Sequence, residues 1–249
     1  MILSEKSVNF SGSCAVASPR SYGNHGGFVQ SRLRAVAAAA FGMVLAVLST
    51  VTPPAAAADR PVKIVALGDS LTAGFGLPQE AAFPERLAKA LGAKGLSVEI
   101  ANAGVSGDTA SGGLARVDWS IPDDTEAVIV ELGANDMLRG IEPKVTRAAL
   151  DAIVKRLKER GLAVLLCGMM APPNYGGDYV REFDAIYPDL AAKYGIVFYP
   201  FFLDGIVADK TLNQADGLHP TAAGVDRIVE RILPKAEELV AQVKTKRGS

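Results

Sequence analysis

The chain has 249 residues, 49% hydrophobic and 21% charged, with a formal charge of −1. That balance excludes an intrinsically disordered chain and gives no basic footprint for nucleic acid. The length fits one domain behind an N-terminal extension.

The extension comes first. Arg32 and Arg34 precede an almost purely apolar run, Ala35 to Val51, which ends in Pro53-Pro54-Ala55-Ala56-Ala57-Ala58. A basic flank, an apolar stretch a little shorter than the ~20 residues of a membrane span, and small residues at alternate positions form a secretory signal pattern. Residues 1–57 are expected to be a signal peptide cleaved near Ala57, leaving 58–249 as the folded domain in the periplasm or outside the cell. An uncleaved N-terminal anchor is the competing reading. Met1 to Ser31 is long and rich in Gly and Ser for a leader, which fits a start codon set too early.

Removing the leader takes away Lys6, Arg20, Arg32 and Arg34 against Glu5, so the formal charge moves from −1 to −4. It also removes Cys14 and His25, leaving Cys167 and His219 as the only residues of their kinds. A single thiol forbids an internal disulfide. Cys167 closes the apolar run Leu162 to Cys167 and reads as a buried, inert side chain. One histidine, with no HExxH or CxxC spacing, excludes the common zinc sites.

From Pro61 onward, short β-rich apolar runs alternate with helix-period runs, the pattern of an α/β domain with a largely parallel sheet. The expected strands are Val62–Leu67, Val98–Asn102, Ala127–Leu132, Ala163–Cys167 and Ile196–Pro200. The expected helices are Glu85–Lys94, Val145–Arg160, Asp178–Tyr194 and Ala222–Val243, with Pro234 predicting a kink or restart in the last. No internal repeat or low-complexity linker divides residues 61–243.

Four small, polar stretches interrupt this rhythm: Gly68-Asp69-Ser70-Leu71, Ser106-Gly107-Asp108-Thr109, Gly133-Ala134-Asn135-Asp136 and Asp216-Gly217-Leu218-His219-Pro220. The first three follow the first three strands and the fourth follows the fifth. Strand exits of an open parallel sheet line its ligand crevice, so the four stretches are expected to converge. With one histidine left, His219 is the only imidazole base, and Asp216 three residues earlier can share a face with it and orient the ring. Ser70 sits on a Gly-flanked turn that would expose its hydroxyl. Thr72 stands where the G-x-S-x-G elbow needs its second Gly, and no Lys completes a phosphate-binding loop after Gly68. Each residue also has a plainer reading: Ser70 as a helix cap near Leu71, Gly107 as a turn glycine, Asn135 and Asp136 as a cap before a helix near Pro143, and His219 as a turn histidine.

In order and spacing, the four blocks GDSL, SGDT, GAND and DGLHP resemble those of the SGNH (GDSL) hydrolases. Glu131 to Asp136, Pro173 to Gly176 and Ala185 to Pro188 are similar to the bacterial periplasmic branch of that family, which includes thioesterases, lysophospholipases and arylesterases. The likeness spans about residues 61–235. It implies a three-layer α/β/α, flavodoxin-like sandwich with a five-stranded, mostly parallel sheet. It implies Ser70 as nucleophile, Asp216 and His219 completing a triad, and an oxyanion hole formed by the Ser70 and Gly107 N–H groups and the Asn135 amide. The expected substrates are small acyl esters or thioesters, including aryl esters, lysophospholipids and acyl-CoA, with neither metal nor organic cofactor. No nucleic-acid partner and no stable membrane insertion of the mature domain are expected. A carbohydrate-ester deacetylase and a non-catalytic binding module are the rival readings. Phe75, Leu77, Met137, Leu138 and the Pro172–Tyr179 loop supply apolar side chains near the expected mouth, which favours an acyl chain over a sugar.

Overall fold

The computed structural model describes residues 60–249; the expected signal peptide, residues 1–57, and its expected cleavage near Ala57 lie outside the described residues. Five strands form one sheet: β1 Val62–Gly68, β2 Val98–Gly104, β3 Ala127–Glu131, β4 Ala163–Cys167 and β5 Val197–Tyr199. Their order is β2-β1-β3-β4-β5, and every pairing is parallel. The three central strands are the most apolar and are almost wholly buried, as a sheet covered on both faces demands. Strand β2 lies at an edge and alternates half-buried with exposed residues, which is why Glu99 and Asn102 are tolerated in it.

The helices in chain order are α1 Ser70–Ala73, α2 Phe83–Ala93, α3 Ala110–Ser120, α4 Ala134–Leu138, α5 Pro143–Glu159, α6 Gly177–Asp184, α7 Ile186–Tyr194 and α8 Ala222–Gly248. Helices α2 and α8 pack together over one face of the sheet, and α3, α5 and α7 form a second packed group. The apolar faces of α5 (Leu150, Ile153, Leu157) and α8 (Val225, Ile228, Ile232, Leu239) are buried in the core between helices and sheet. This is the doubly wound arrangement, with its topological switch where β1 lies between β2 and β3.

Three expectations change. Helix α3 was not legible because Ser111-Gly112-Gly113 weakens its propensity. Those glycines allow close approach: a Cβ at Gly113 would stand 2.4 Å from Leu132 Cδ1, and one at Gly112 would stand 2.6 Å from Asp108 Oδ1. The single helix expected over Asp178–Tyr194 is two, α6 and α7, parted at Ala185. Pro188 explains the break, since it lacks an N–H and its ring crowds the carbonyl four residues earlier, that of Asp184. Conversely, α8 runs as one 27-residue element through Pro234, with no restart. Pro234 lies on the exposed side, where water can satisfy the freed Glu230 carbonyl.

Candidate active site

The exits of β1, β2 and β3 lie side by side, because the register sets Gly68 between Gly104 and Glu131. At the β1 exit Asp69 is the N-cap, its Oδ1 accepting from the Leu71 N–H at 2.9 Å, and Ser70 is the first residue of α1. Ser70 is therefore not the cap. The first N–H groups of a helix have no partner within it, so Ser70 offers an N–H and a hydroxyl at one point.

The Ser70 hydroxyl meets the fourth polar stretch. Its Oγ lies 2.9 Å from His219 Nε2, and His219 Nδ1 lies 2.7 Å from Asp216 Oδ2. Asp216 Oδ1 accepts from the N–H groups of Leu218 at 2.9 Å and His219 at 3.0 Å. Those bonds, the His219 N–H foremost and then the ring, hold the Asp216 carboxyl down at about 2. Phe75 packs on the imidazole with ring centroids 4.5 Å apart. An imidazole held between a carboxylate and a hydroxyl can take the hydroxyl proton as the oxygen attacks, and return it to a leaving group.

Gly107 follows β2 in a turn closed by the Asp108 N–H donating to the Val105 carbonyl at 3.0 Å. Its φ of 85° is what the third position of a type II turn requires, so the glycine is conformationally necessary. Arg139, just after α4, donates to the Gly107 carbonyl at 2.7 Å and ties that turn to the β3 exit. Asn135 is the second residue of α4, and its Nδ2 donates to Asp69 Oδ2 at 3.0 Å. One amide hydrogen is thereby engaged and the other remains for a ligand. Neighbouring Asp136 is fully buried, accepting from the Ala110 N–H of α3 at 2.8 Å and Thr146 Oγ1 of α5 at 2.9 Å.

Sequence reasoning missed the residues that hold these loops together. Arg116, 6% exposed, donates to the Gly68 carbonyl at 2.8 Å, the Ala103 carbonyl at 2.7 Å and Asp108 Oδ2 at 2.6 Å, bracing the β1 and β2 exits at once. Gln214 Nε2 donates to the carbonyls of Phe75 at 2.7 Å and Pro220 at 2.9 Å, joining the nucleophile and histidine loops. Main-chain acceptors leave no trace in a residue pattern, so neither side chain had a signal. Asp69 did have one, lying inside the GDSL block.

Next to the histidine loop, whose Leu218 forms part of its wall, opens an apolar cleft of about 410 Å³ also lined by Leu138, Met170, Pro172, Phe201 and Val207. Of the side chains expected at the mouth, Leu138 and Phe75 are exposed, Met137 is a buried part of the cleft wall, and Leu77 packs against the core. Cys167 is buried 1% exposed between β3 and β5, and burial pushes its thiol well above the usual range.

A doubly wound α/β/α sandwich with a serine, an imidazole and a carboxylate in file at its strand exits defines the class: a flavodoxin-like scaffold carrying the groups that acyl transfer needs. The chain belongs to the GDSL-like lipase/acylhydrolase family, whose model matches residues 66–227. It is 39% identical over 186 residues to an arylesterase of Vibrio mimicus, covering 74% of this chain and 92% of that protein. It is 36% identical over 187 residues to thioesterase 1/protease 1/lysophospholipase L1 of Escherichia coli K12, covering 75% of this chain and 87% of that protein. Among solved structures, AlinE4, an SGNH-hydrolase family esterase, is similar with a TM-score of 0.62 and 44% identity, covering 72% of this chain and 96% of that one.

Proposed function

We propose that the chain is a serine ester hydrolase in which Ser70 is the nucleophile, His219 the general base and acid, and Asp216 the residue that orients and charges-balances the imidazole. The observation that carries this reading is the unbroken file of two hydrogen bonds, 2.9 Å and 2.7 Å, from hydroxyl to imidazole to carboxylate. His219 Nε2 takes the Ser70 proton as Oγ attacks the acyl carbonyl. The Ser70 N–H, the Gly107 N–H and the Asn135 amide receive the developing oxyanion. His219 then protonates the departing alcohol or thiol, leaving an acyl-enzyme ester on Ser70. Water, deprotonated by the same imidazole, attacks that ester and releases the acid. Every bond made and broken is accounted for by the triad and water, so the scheme calls for no cofactor.

The apolar cleft next to the histidine loop supports an acyl chain as the part of the substrate that is bound, because its walls are mainly aliphatic and aromatic and Asn213 is the one polar side chain among them. Aryl esters, lysophospholipids and acyl thioesters all fit that description. The leader over residues 1–57 supports export, with cleavage near Ala57 and action in the periplasm or outside the cell. Among the described residues no helix is long and apolar enough to cross a membrane.

The test is a panel of p-nitrophenyl esters from acetyl to palmitoyl, acyl-CoAs, lysophosphatidylcholine and acetylated xylan, alongside fluorophosphonate labelling. Turnover of acyl esters and labelling that disappears in Ser70→Ala are expected. Labelling that survives in Ser70→Ala, or activity confined to acetylated xylan, overturns the reading.

A further inference from the structure

Directly behind the nucleophile turn, the fold buries two acids that the hydrolytic scheme leaves unused. Glu131, the last residue of β3, is 1% exposed and Asp69 is 0% exposed. The β1–β3 register sets Glu131 beside Gly68, so its carboxyl reaches the turn that carries Ser70. There Glu131 Oε2 accepts from Thr72 Oγ1 of α1 at 2.8 Å and from the Asp69 N–H at 3.4 Å. Its Oε1 is buried with no hydrogen-bond partner among the described residues. Asp69 in turn spends its two oxygens on the Leu71 N–H and the Asn135 amide.

The groups facing this pair come from every surrounding element. His219 faces Asp69 from the loop before α8, Cys167 faces Glu131 from β4, and Tyr187 of α7 faces both acids and also Asp136 and Asp184. Arg116 spends its guanidinium on carbonyls and Asp108 rather than on either acid. Two carboxyls this deep, with no cation paired to them, do not both ionise. Burial and the Asp69 charge hold the Glu131 proton well above the usual carboxylate range. Burial raises Asp69 to about 6, against the pull of its hydrogen-bond donors. Burial and the neighbouring Asp69 charge thus both favour the protonated form of Glu131, while Asp69 Oδ2 holds the Asn135 amide.

We propose that Glu131 is a positioning residue for hydrolysis: it braces the Asp69 turn through the Asp69 N–H and Thr72, and through Asp69 it aims the Asn135 amide at the oxyanion. The proposal rests on the reading of Ser70 and Asn135 given above. Its signature is a loss in kcat with little change in KM, because an oxyanion donor acts on the transition state alone. It also predicts that Glu131 and Asn135 act as one unit.

The experiment measures kcat, KM and Tm on a p-nitrophenyl ester for Glu131→Gln, Glu131→Met, Asn135→Ala and the double variant Glu131→Met/Asn135→Ala. Glu131→Gln, which keeps a neutral hydrogen-bonding head, is expected to hold kcat within roughly threefold, while Glu131→Met loses about tenfold. In the Asn135→Ala background, Glu131→Met is expected to cost nothing further. Should Glu131→Met fail to fold, Thr72→Val removes one of the donors to Glu131 and takes its place in the same cycle. Losses that add fully across the two positions, or an equal loss in Glu131→Gln and Glu131→Met, overturn the proposal. Unchanged kcat in Asn135→Ala, or turnover by Ser70→Ala, overturns the site reading itself and is thereby told apart.

Discussion

At the scale of single residues, the candidate site combines one strongly hydrogen-bonded carboxylate with one strongly buried one, and pH acts on them in opposite senses. Asp216 sits at about 2, below its ordinary 3.8, so its contribution to stability is present above that ordinary value and is lost as pH falls through about 2. Activity at mildly acidic pH is therefore not limited by Asp216, and Asp216→Asn should lower kcat at every pH between 5 and 9. A titration of kcat/KM for both proteins checks this. Asp69 is raised to about 6 from 3.8, so its burial costs nothing below 3.8 and becomes a growing penalty as pH rises through about 6. Wild-type Tm is expected to fall over that interval by more than Tm of Asp69→Asn, as calorimetry across pH 4–7 will register. Arg116 joins the β1 and β2 exits. Arg116→Ala strands buried acceptors and Asp108, and a loss of about 3 kcal/mol in unfolding free energy is expected together with a lower kcat; denaturant unfolding that moves by less than 0.5 kcal/mol would refute the assignment.

At the scale of elements, backbone constraints decide how loops meet. Gly133 opens α4 with φ 117°, and a Cβ there would stand 2.1 Å from Tyr187 Oη, whose hydroxyl donates to the Leu132 carbonyl at 3.0 Å. Gly133→Ala must displace either Tyr187 or α4, and α4 carries Asn135. A loss of several kcal/mol in stability and a fall in kcat larger than any change in KM are expected, read by thermal unfolding and steady-state kinetics. Pro234 has the opposite sign. It interrupts the hydrogen-bond ladder of α8 on the exposed side and supports no part of the site. Pro234→Ala is expected to raise stability by about 1–3 kcal/mol and leave kcat as it was; an unchanged or lower Tm would count against the continuous helix.

At the scale of the whole molecule, the end of the sheet opposite the site is closed by the C-terminal turn of α8. Arg247 pairs with Glu126 and donates to the carbonyls of Arg60 and Pro61, both at 2.9 Å, while Lys246 donates to the Gly161 carbonyl at 2.6 Å. Chemistry and closure thus sit at opposite ends, and Arg247→Ala should cost about 1–3 kcal/mol in stability with kcat unaltered. The sequence by itself determined the alternation of strands and helices, all five strands to within two residues at either end, the single histidine after residue 57, and the four polar interruptions, because periodicity, propensity and residue counts are local properties. It could not determine α3, whose glycines look unfavourable until Leu132 and Asp108 are packed against them, nor the division at Ala185, nor the survival of α8 through Pro234. Only the tertiary structure decided that Ser70, His219 and Asp216 stand within hydrogen-bond distance, that Arg116 and Gln214 tie their loops, and that Glu131 and Asp69 share a dry space. Those are relations between strand exits up to 149 residues apart in the chain, and they exist only once a parallel sheet has set those exits side by side.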